Sequence, residues 1–141
     1  MIIKEATKKD LPSIMGLIRS ERADGRKISY NQFLIAKDKN EIIGCIRIKE
    51  MKDCLELGSL VVSPEHRDKG IGSRLIKNIL VKDRRRPIYL LCFAKMASFY
   101  SKAGFNKISV NFLPKTFKDE YLLVKGKLKK FHRKIVVMAI N

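Results

Sequence analysis

LVVSPEHRDKGIGSRLI, residues 60–76, is the stretch from which the rest of the chain can be read. The apolar run Leu60-Val61-Val62 is halted by Pro64, which cannot donate to a strand ladder. Gly70 and Gly72 then lead into Leu75, Ile76, Ile79 and Leu80 at helical spacing, which predicts a helix over 72–82, just after the glycine pair. Glycines at a strand-to-helix turn let successive backbone N–H groups converge on one point without a Cβ in the way. The helix N-terminus adds partial positive charge there, and Arg67, Lys69 and Arg74 add formal charge. Such a loop suits a phosphate or pyrophosphate; the plainer alternative is a glycine-softened turn. It is neither GxxxxGK[ST] nor the GxGxxG dinucleotide fingerprint.

On the N-terminal side, IIKEA (2–6) reads as a short strand. Thr7 offers an N-cap, and Leu11, Ile14, Leu17 and Ile18 recur as a helix would need. The polar stretch 19–31 reads as a loop or a second short helix. FLIAK (33–37) and EIIGCIRIK (41–49) flank Asp38-Lys39-Asn40, a hairpin pattern, and CLELGSLVV (54–62) is a third strand in which Gly58 marks a bulge or close backbone approach. On the C-terminal side, IYLLCF (88–93) is a continuous apolar run of the kind buried on both faces. A short helix over 95–103 ends at Gly104, FNKISV (105–110) is a strand, 113–134 is basic and irregular or partly helical, and IVVMAI (135–140) is the last strand. This order predicts a mixed α/β domain around one sheet, spanning 1–141 as a single domain.

Composition narrows the function classes. The chain has 141 residues, 45% hydrophobic, with four prolines, so a folded core is expected rather than disorder. No apolar run reaches the roughly 18 residues of a membrane span, and the first residues lack a signal-peptide stretch. Cys45, Cys54 and Cys92 are an odd number without CxxC spacing, each in an apolar run, which suits reduced core thiols in a cytoplasm and favours neither a disulfide framework nor a metal site. The net charge of +17 is uneven: residues 1–60 carry 12 basic and 9 acidic side chains, residues 61–141 carry 19 and 5. An anionic partner is expected to meet the second half.

A second block, Phe99-Tyr100-x-Lys102-x-Gly104-Phe105, joins the first, Leu60-x-Val62-x-Pro64-x-x-Arg67-x-x-Gly70-Ile71-Gly72. Together they resemble the GCN5-related N-acetyltransferase (GNAT) family: the [Q/R]-x-x-G-x-[G/A] acetyl-CoA loop followed by the FYxKxGF segment. The opening IIKEATKKDLPSIMGLI resembles that family's first strand and helix. The resemblance covers 1–110 and 135–140 and leans toward the acetylglutamate-synthase-like branch; 113–134 lies outside it. It implies a mixed, mostly antiparallel sheet of six to seven strands flanked by helices and splayed at the cofactor strand. It further implies an enzyme that moves an acetyl group from acetyl-CoA to a primary amine by direct transfer in a ternary complex, with no metal. Cofactor contacts are implied at Leu60, Val61, Val62, Arg67, Asp68, Lys69, Gly70, Ile71, Gly72, Ser73 and Phe99. The chain departs from the pattern at Asp68, where many members have glycine, and at Phe93, where many carry asparagine.

Acetyl transfer to an amine requires a proton acceptor, an oxyanion donor and a proton for the departing thiolate. The resemblance gives these roles to Glu56, the Leu60 N–H and Tyr100. Glu56 is the only acid of its strand and sits between Leu55 and Leu57, where a carboxyl's pKa would rise; its alternative is an exposed strand glutamate paired with a lysine. Tyr100 is alternatively an amphipathic core tyrosine. Cys54 and Cys92 have no base placed near them by sequence, so covalent catalysis is not expected; His66 reads as a loop residue near the phosphates and His132 as part of a solvated basic face. The basic runs 82–86 and 113–134 allow three readings: a solvated face, a site for an acidic small-molecule acceptor or the CoA 3′-phosphate, or a nucleic-acid surface. Aromatic interleaving is thin, which disfavours the last, leaving an RNA- or ribosome-associated module as the competing function. The acceptor's identity and the oligomeric state are not legible in the sequence.

Overall fold

The computed structural model describes residues 1–129 and 133–141; the reading of His132 falls outside them. Seven strands form one sheet in the order β1-β2-β3-β4-β5-β7-β6. They are β1 (Ile2–Glu5), β2 (Phe33–Asp38), β3 (Glu41–Glu50), β4 (Leu55–Val62), β5 (Ile88–Phe93), β6 (Asn106–Lys107) and β7 (Ile135–Ile140). The helices are α1 (Leu11–Ser20), α2 (Ile71–Lys82), α3 (Ala97–Ser101) and α4 (Lys115–Leu128). β1 with β2, β2 with β3, β5 with β7 and β6 with β7 run antiparallel, and β4 with β5 runs parallel. The mixed, mostly antiparallel sheet is the one expected. By internal contacts the chain falls into two compact units, Met1–Ile48 with Gly58–Arg84, and Lys49–Leu57 with Arg85–Asn141.

In the first unit, the Asp10 carboxylate accepts from the Thr7 N–H at 2.8 Å and from its hydroxyl at 3.0 Å, fixing the entry to α1. These bonds hold the Asp10 carboxyl below its ordinary pKa. Ile14 and Ile18 of α1 pack with Phe33, Ile35, Cys45 and Val61. The β2–β3 hairpin turns through Lys39 and Asn40, both with positive φ (49° and 68°), the geometry a two-residue hairpin favours. α2 lies close over the sheet because Gly44 has no side chain: a Cβ there would sit 3.1 Å from the Val61 carbonyl oxygen and 3.2 Å from Leu75 Cδ1.

In the second unit, α4 packs Phe117 and Tyr121 into a cluster with Leu113 and Val137. Its start is tied down by the Thr116 N–H, which donates to Asp53 Oδ2 at 3.2 Å. The Phe117 ring lies 5.6 Å from that of Tyr89 on β5.

Four expectations change in detail. α2 begins at Ile71, so Gly72 lies inside the first turn and Gly70 is the N-cap. β6 is two residues long rather than the six of 105–110, and 110–112 form a 3-10 turn instead. β5 buries Ile88 and Leu90 fully but leaves Tyr89 and Leu91 half-buried against the Phe117 cluster, so its two faces are not equally covered. The strained residue of β4 is Ser59 (φ 52°), next to Gly58.

Candidate active site

The predicted phosphate loop takes shape at the end of β4. Val61 is buried in the core, while Leu60 and Val62 are half-buried on the opposite face. Ser63 and His66 close the following turn, with Ser63 Oγ 2.7 Å from His66 Nδ1, so the histidine braces the loop. Gly70 is left-handed at φ 79°. The first bond inside α2 runs from the Arg74 N–H to the Gly70 carbonyl at 3.1 Å. The amides of Ile71, Gly72 and Ser73 precede that bond and are the N–H groups a helix start offers to an anion. Ile71 is buried and fixes the turn from below, whereas Lys69, Gly70 and Ser73 are exposed. Arg67 is turned to Glu21, with which it forms an ion pair, and its Nε donates to the Val62 carbonyl at 3.1 Å.

Asp68 is also left-handed, with φ 62°. A position of this kind favours glycine because an L side chain is strained there, which gives a physical reason for the glycine found in many chains with this loop. Asp68→Gly should therefore stabilise the fold by about 0.5–1 kcal/mol and tighten binding of an anion by removing a like charge. Urea denaturation and phosphate-ligand titration of the variant check both.

Ser59 is held in its unusual backbone by three neighbours. The Cys45 thiol donates to its carbonyl at 3.4 Å, Arg47 Nε donates to its hydroxyl at 2.9 Å, and that hydroxyl donates to the Asp24 carbonyl at 2.6 Å. Arg47 is completely buried. Its guanidinium also donates to the carbonyls of Asp24 (3.0 Å), Arg26 (2.9 Å) and Lys27 (3.3 Å) and to Gln32 Oε1 (3.0 Å). One cation thus gathers the 24–32 segment onto the bulge of β4. The parallel ladder of β4 with β5 is confined, among the described residues, to Leu55 opposite Ile88 and Glu56 opposite Tyr89.

Glu56 is buried at 5% exposure, which overturns the exposed-strand alternative while keeping its lysine. Lys49 Nζ is 2.9 Å from Glu56 Oε1 and 3.7 Å from an oxygen of Glu120 on α4. Burial, more than the opposing pull of Lys49, pushes the Glu56 carboxyl up to about 7, and the Glu120 charge adds to the rise. Tyr100 lies on α3, half-buried, its ring edge-on to Phe99 at 5.2 Å and to Phe105 at 6.2 Å. Burial pushes its phenol up to about 12, so it keeps its proton throughout the neutral range. Tyr100 and Glu56 belong to the same compact unit. The three cysteines are free. Burial raises the thiols of Cys45 and Cys54 to about 12 and also raises that of Cys92, so none is a thiolate at neutral pH. Phe93, at the asparagine position, lies under the Arg133 guanidinium at 5.2 Å. Arg47, Lys49 and Glu120 were not singled out from sequence; the alternation Cys45-x-Arg47-x-Lys49 on one face of β3 was the available signal.

The family model described as "Acetyltransferase (GNAT) domain" matches residues 29–107, a span that contains both Glu56 and the loop. The chain belongs to the GNAT acetyltransferase family. Among curated relatives, an amino-acid acetyltransferase of Neisseria meningitidis is 32% identical over 133 residues, covering 84% of this chain and 30% of the relative. The chain thus spans about a third of the length of that relative. In fold, it is similar to N-acetylglutamate synthase from Neisseria gonorrhoeae complexed with coenzyme A and N-acetyl-glutamate (TM-score 0.77, 24% identity, 99% of this chain and 34% of that one). A protein from Mycobacterium tuberculosis solved in complex with CoA is as similar in fold and of matching length (TM-score 0.77, 18% identity, 99% and 98% covered). The acetylglutamate-synthase-like resemblance therefore agrees with the relatives, and the segment outside the motif blocks is covered as well.

Proposed function

We infer that this chain transfers an acetyl group from acetyl-CoA directly to the primary amine of a small amino acid, with glutamate the first acceptor to test. The observation that carries the reading is the left-handed Gly70 cap, which leaves the Ile71, Gly72 and Ser73 amides at the start of a twelve-residue helix in a strand-loop-helix of GNAT type. These amides, with Lys69, would hold the CoA pyrophosphate, and the backbone at Leu60 and Val62 would pair with the pantetheine arm. Acetyl-CoA supplies the activated acyl group when bound. Glu56 takes a proton from the acceptor nitrogen, and the Leu60 N–H donates to the oxyanion formed as nitrogen attacks the carbonyl carbon. As the carbon–sulfur bond breaks, Tyr100 gives its proton to the sulfur. The elevated thiols argue for direct transfer over an acyl-cysteine route, and free cysteines suit a cytoplasmic location. Support for an amino-acid acceptor comes from the amino-acid acetyltransferase relatives and the acetylglutamate-bound neighbour.

Calorimetric titration with acetyl-CoA should show micromolar binding, on the order of −8 kcal/mol. A folded preparation that binds none rules the reading out. Gly70→Val should raise the dissociation constant roughly tenfold or more, since a β-branched residue at φ 79° costs about 1–2 kcal/mol and distorts the amide array. Tyr100→Phe should cost less turnover than loss of Glu56, because a thiolate leaves passably without an acid near pH 8; steady-state rates at pH 7 and 8.5 test this. A screen of glutamate against other amino acids, polyamines and peptides then identifies the acceptor.

A further inference from the structure

The segment 113–134 lies outside the motif resemblance, yet α4 sends one acidic side chain inward. The helix face that packs against the sheet carries Phe117, Glu120 and Tyr121, all buried, while Asp119 and most of the helix's lysines stay at the surface. In a chain of net charge +17, an inward-facing glutamate on a lysine-rich helix places a second carboxylate beside Glu56. Both face the single ammonium of Lys49, at 2.9 and 3.7 Å, and all three side chains are about a tenth exposed or less.

We propose that Glu120 is a positioning residue for acetyl transfer: it competes with Glu56 for Lys49 and so keeps Glu56 from being neutralised as a simple ion pair. The inference rests on Glu56 being the proton acceptor. Two carboxylates and one ammonium carry a net negative charge when all are ionised, and in a dry site that excess is relieved by a proton. A lone Lys49–Glu56 pair would instead lock the carboxylate in its charged form and make it a weak base. Within this unit the ionised Asp53 sits next to Cys54 and is held by the Thr116 N–H, and the other titratable groups beside the pair among the described residues are Cys54, just before β4, and Tyr89, the register neighbour of Glu56 on β5. Both are neutral at neutral pH, since burial raises each. The geometry that delivers Glu120 is rigid: α4 is fixed at its start by Asp53 and along its inner face by Phe117 and Tyr121.

The 141-residue chain is assayed with acetyl-CoA and L-glutamate, and the glutamate carboxyls are followed by 13C NMR without substrate. In the wild type, the Glu56 carboxyl should titrate in two steps rather than one, as a group coupled to a neighbouring carboxylate does. In Glu120→Gln, Glu56 should titrate in a single step about one pH unit lower, and the acidic limb of kcat/KM should move down with it. Lys49→Met should move that limb the opposite way, and Glu120→Asp should restore most of the wild-type profile. A merely structural Glu120 would lower activity at every pH and leave the limb in place. An unmoved limb in Glu120→Gln, with Glu56→Gln inactive, overturns this inference and leaves the base assignment standing. Near-normal turnover in Glu56→Gln removes the base assignment and this inference together. Should Glu120→Gln not fold, the wild-type titration decides: a single independent step for Glu56 overturns the coupling.

Discussion

Glu56→Gln is expected to lower turnover by roughly 10²–10⁴ at pH 7 while leaving acetyl-CoA affinity nearly unchanged. The amide keeps the size of the side chain but cannot take a proton. The deficit should narrow as pH rises and the acceptor amine deprotonates unaided. In the wild type, the carboxyl lies near 7, so kcat/KM should climb through neutrality as the basic form develops. The same shift has a sign for stability. A carboxyl raised in the folded state is protonated in the native chain when it is already ionised in the unfolded one. Its favourable contribution is therefore complete below about pH 4.5 and is lost as pH rises through about 7. Glu56→Gln, which cannot ionise, should be at least as stable as the wild type at pH 8. Denaturation curves at pH 5 and pH 8 separate this from a folding defect, and near-normal turnover at pH 7 would show that another group or water accepts the proton.

Arg47→Met should produce the largest loss of stability, on the order of 3–5 kcal/mol. The substitution fills much of the same space but strands the carbonyls of Asp24, Arg26 and Lys27, Gln32 Oε1 and the Ser59 hydroxyl without the donor they now share. It also removes the cation stacked 5.5 Å from the Phe33 ring. Arg47→Lys should recover only part, because one ammonium cannot span the partners of a planar fork. Urea midpoints give the loss, and amide exchange should show the 24–32 segment opening ahead of the rest. A loss below about 1 kcal/mol would mean that the guanidinium is held in place without holding anything itself.

The loop, its helix and the succession of strands along the chain were legible because each rests on local patterning: a proline stop, two glycines, apolar positions at periods of two or 3.6. The environments of Arg47, Lys49 and Glu120 were not. On β3, alternating Cys45, Arg47 and Lys49 against Ile46 and Ile48 reads as a half-exposed strand with a wet face. Both faces are in fact buried. Arg47 is covered by a polar segment whose contribution is its backbone carbonyls, which side-chain patterning cannot reveal. Lys49 is covered by a helix whose lysine content masks the one acid it turns inward. Glu56 was picked out by its place on the strand, but its burial depends on that same helix, so a solvent-exposed alternative was as good a reading of the sequence. At Ser59 the strain fell on the residue beside the glycine because its hydroxyl, absent from glycine, supplies the bonds that hold it there.

The sheet order β5-β7-β6 puts the latest strand of the chain between two earlier ones. During synthesis, the residues of the first unit have all emerged once Arg84 is clear, whereas IYLLCF waits for more than forty further residues before Ile135–Ile140 can pair with it across all six of its positions. Until then one side of an apolar strand is an open template for another nascent chain. When β7 arrives it closes that side, and Asn106 and Lys107 in turn cover part of its own outer edge, opposite Ala139 and Met138. A short, lysine-bearing strand is a poor site for sheet extension, so the arrival of β7 replaces an open apolar border with one partly masked by charge.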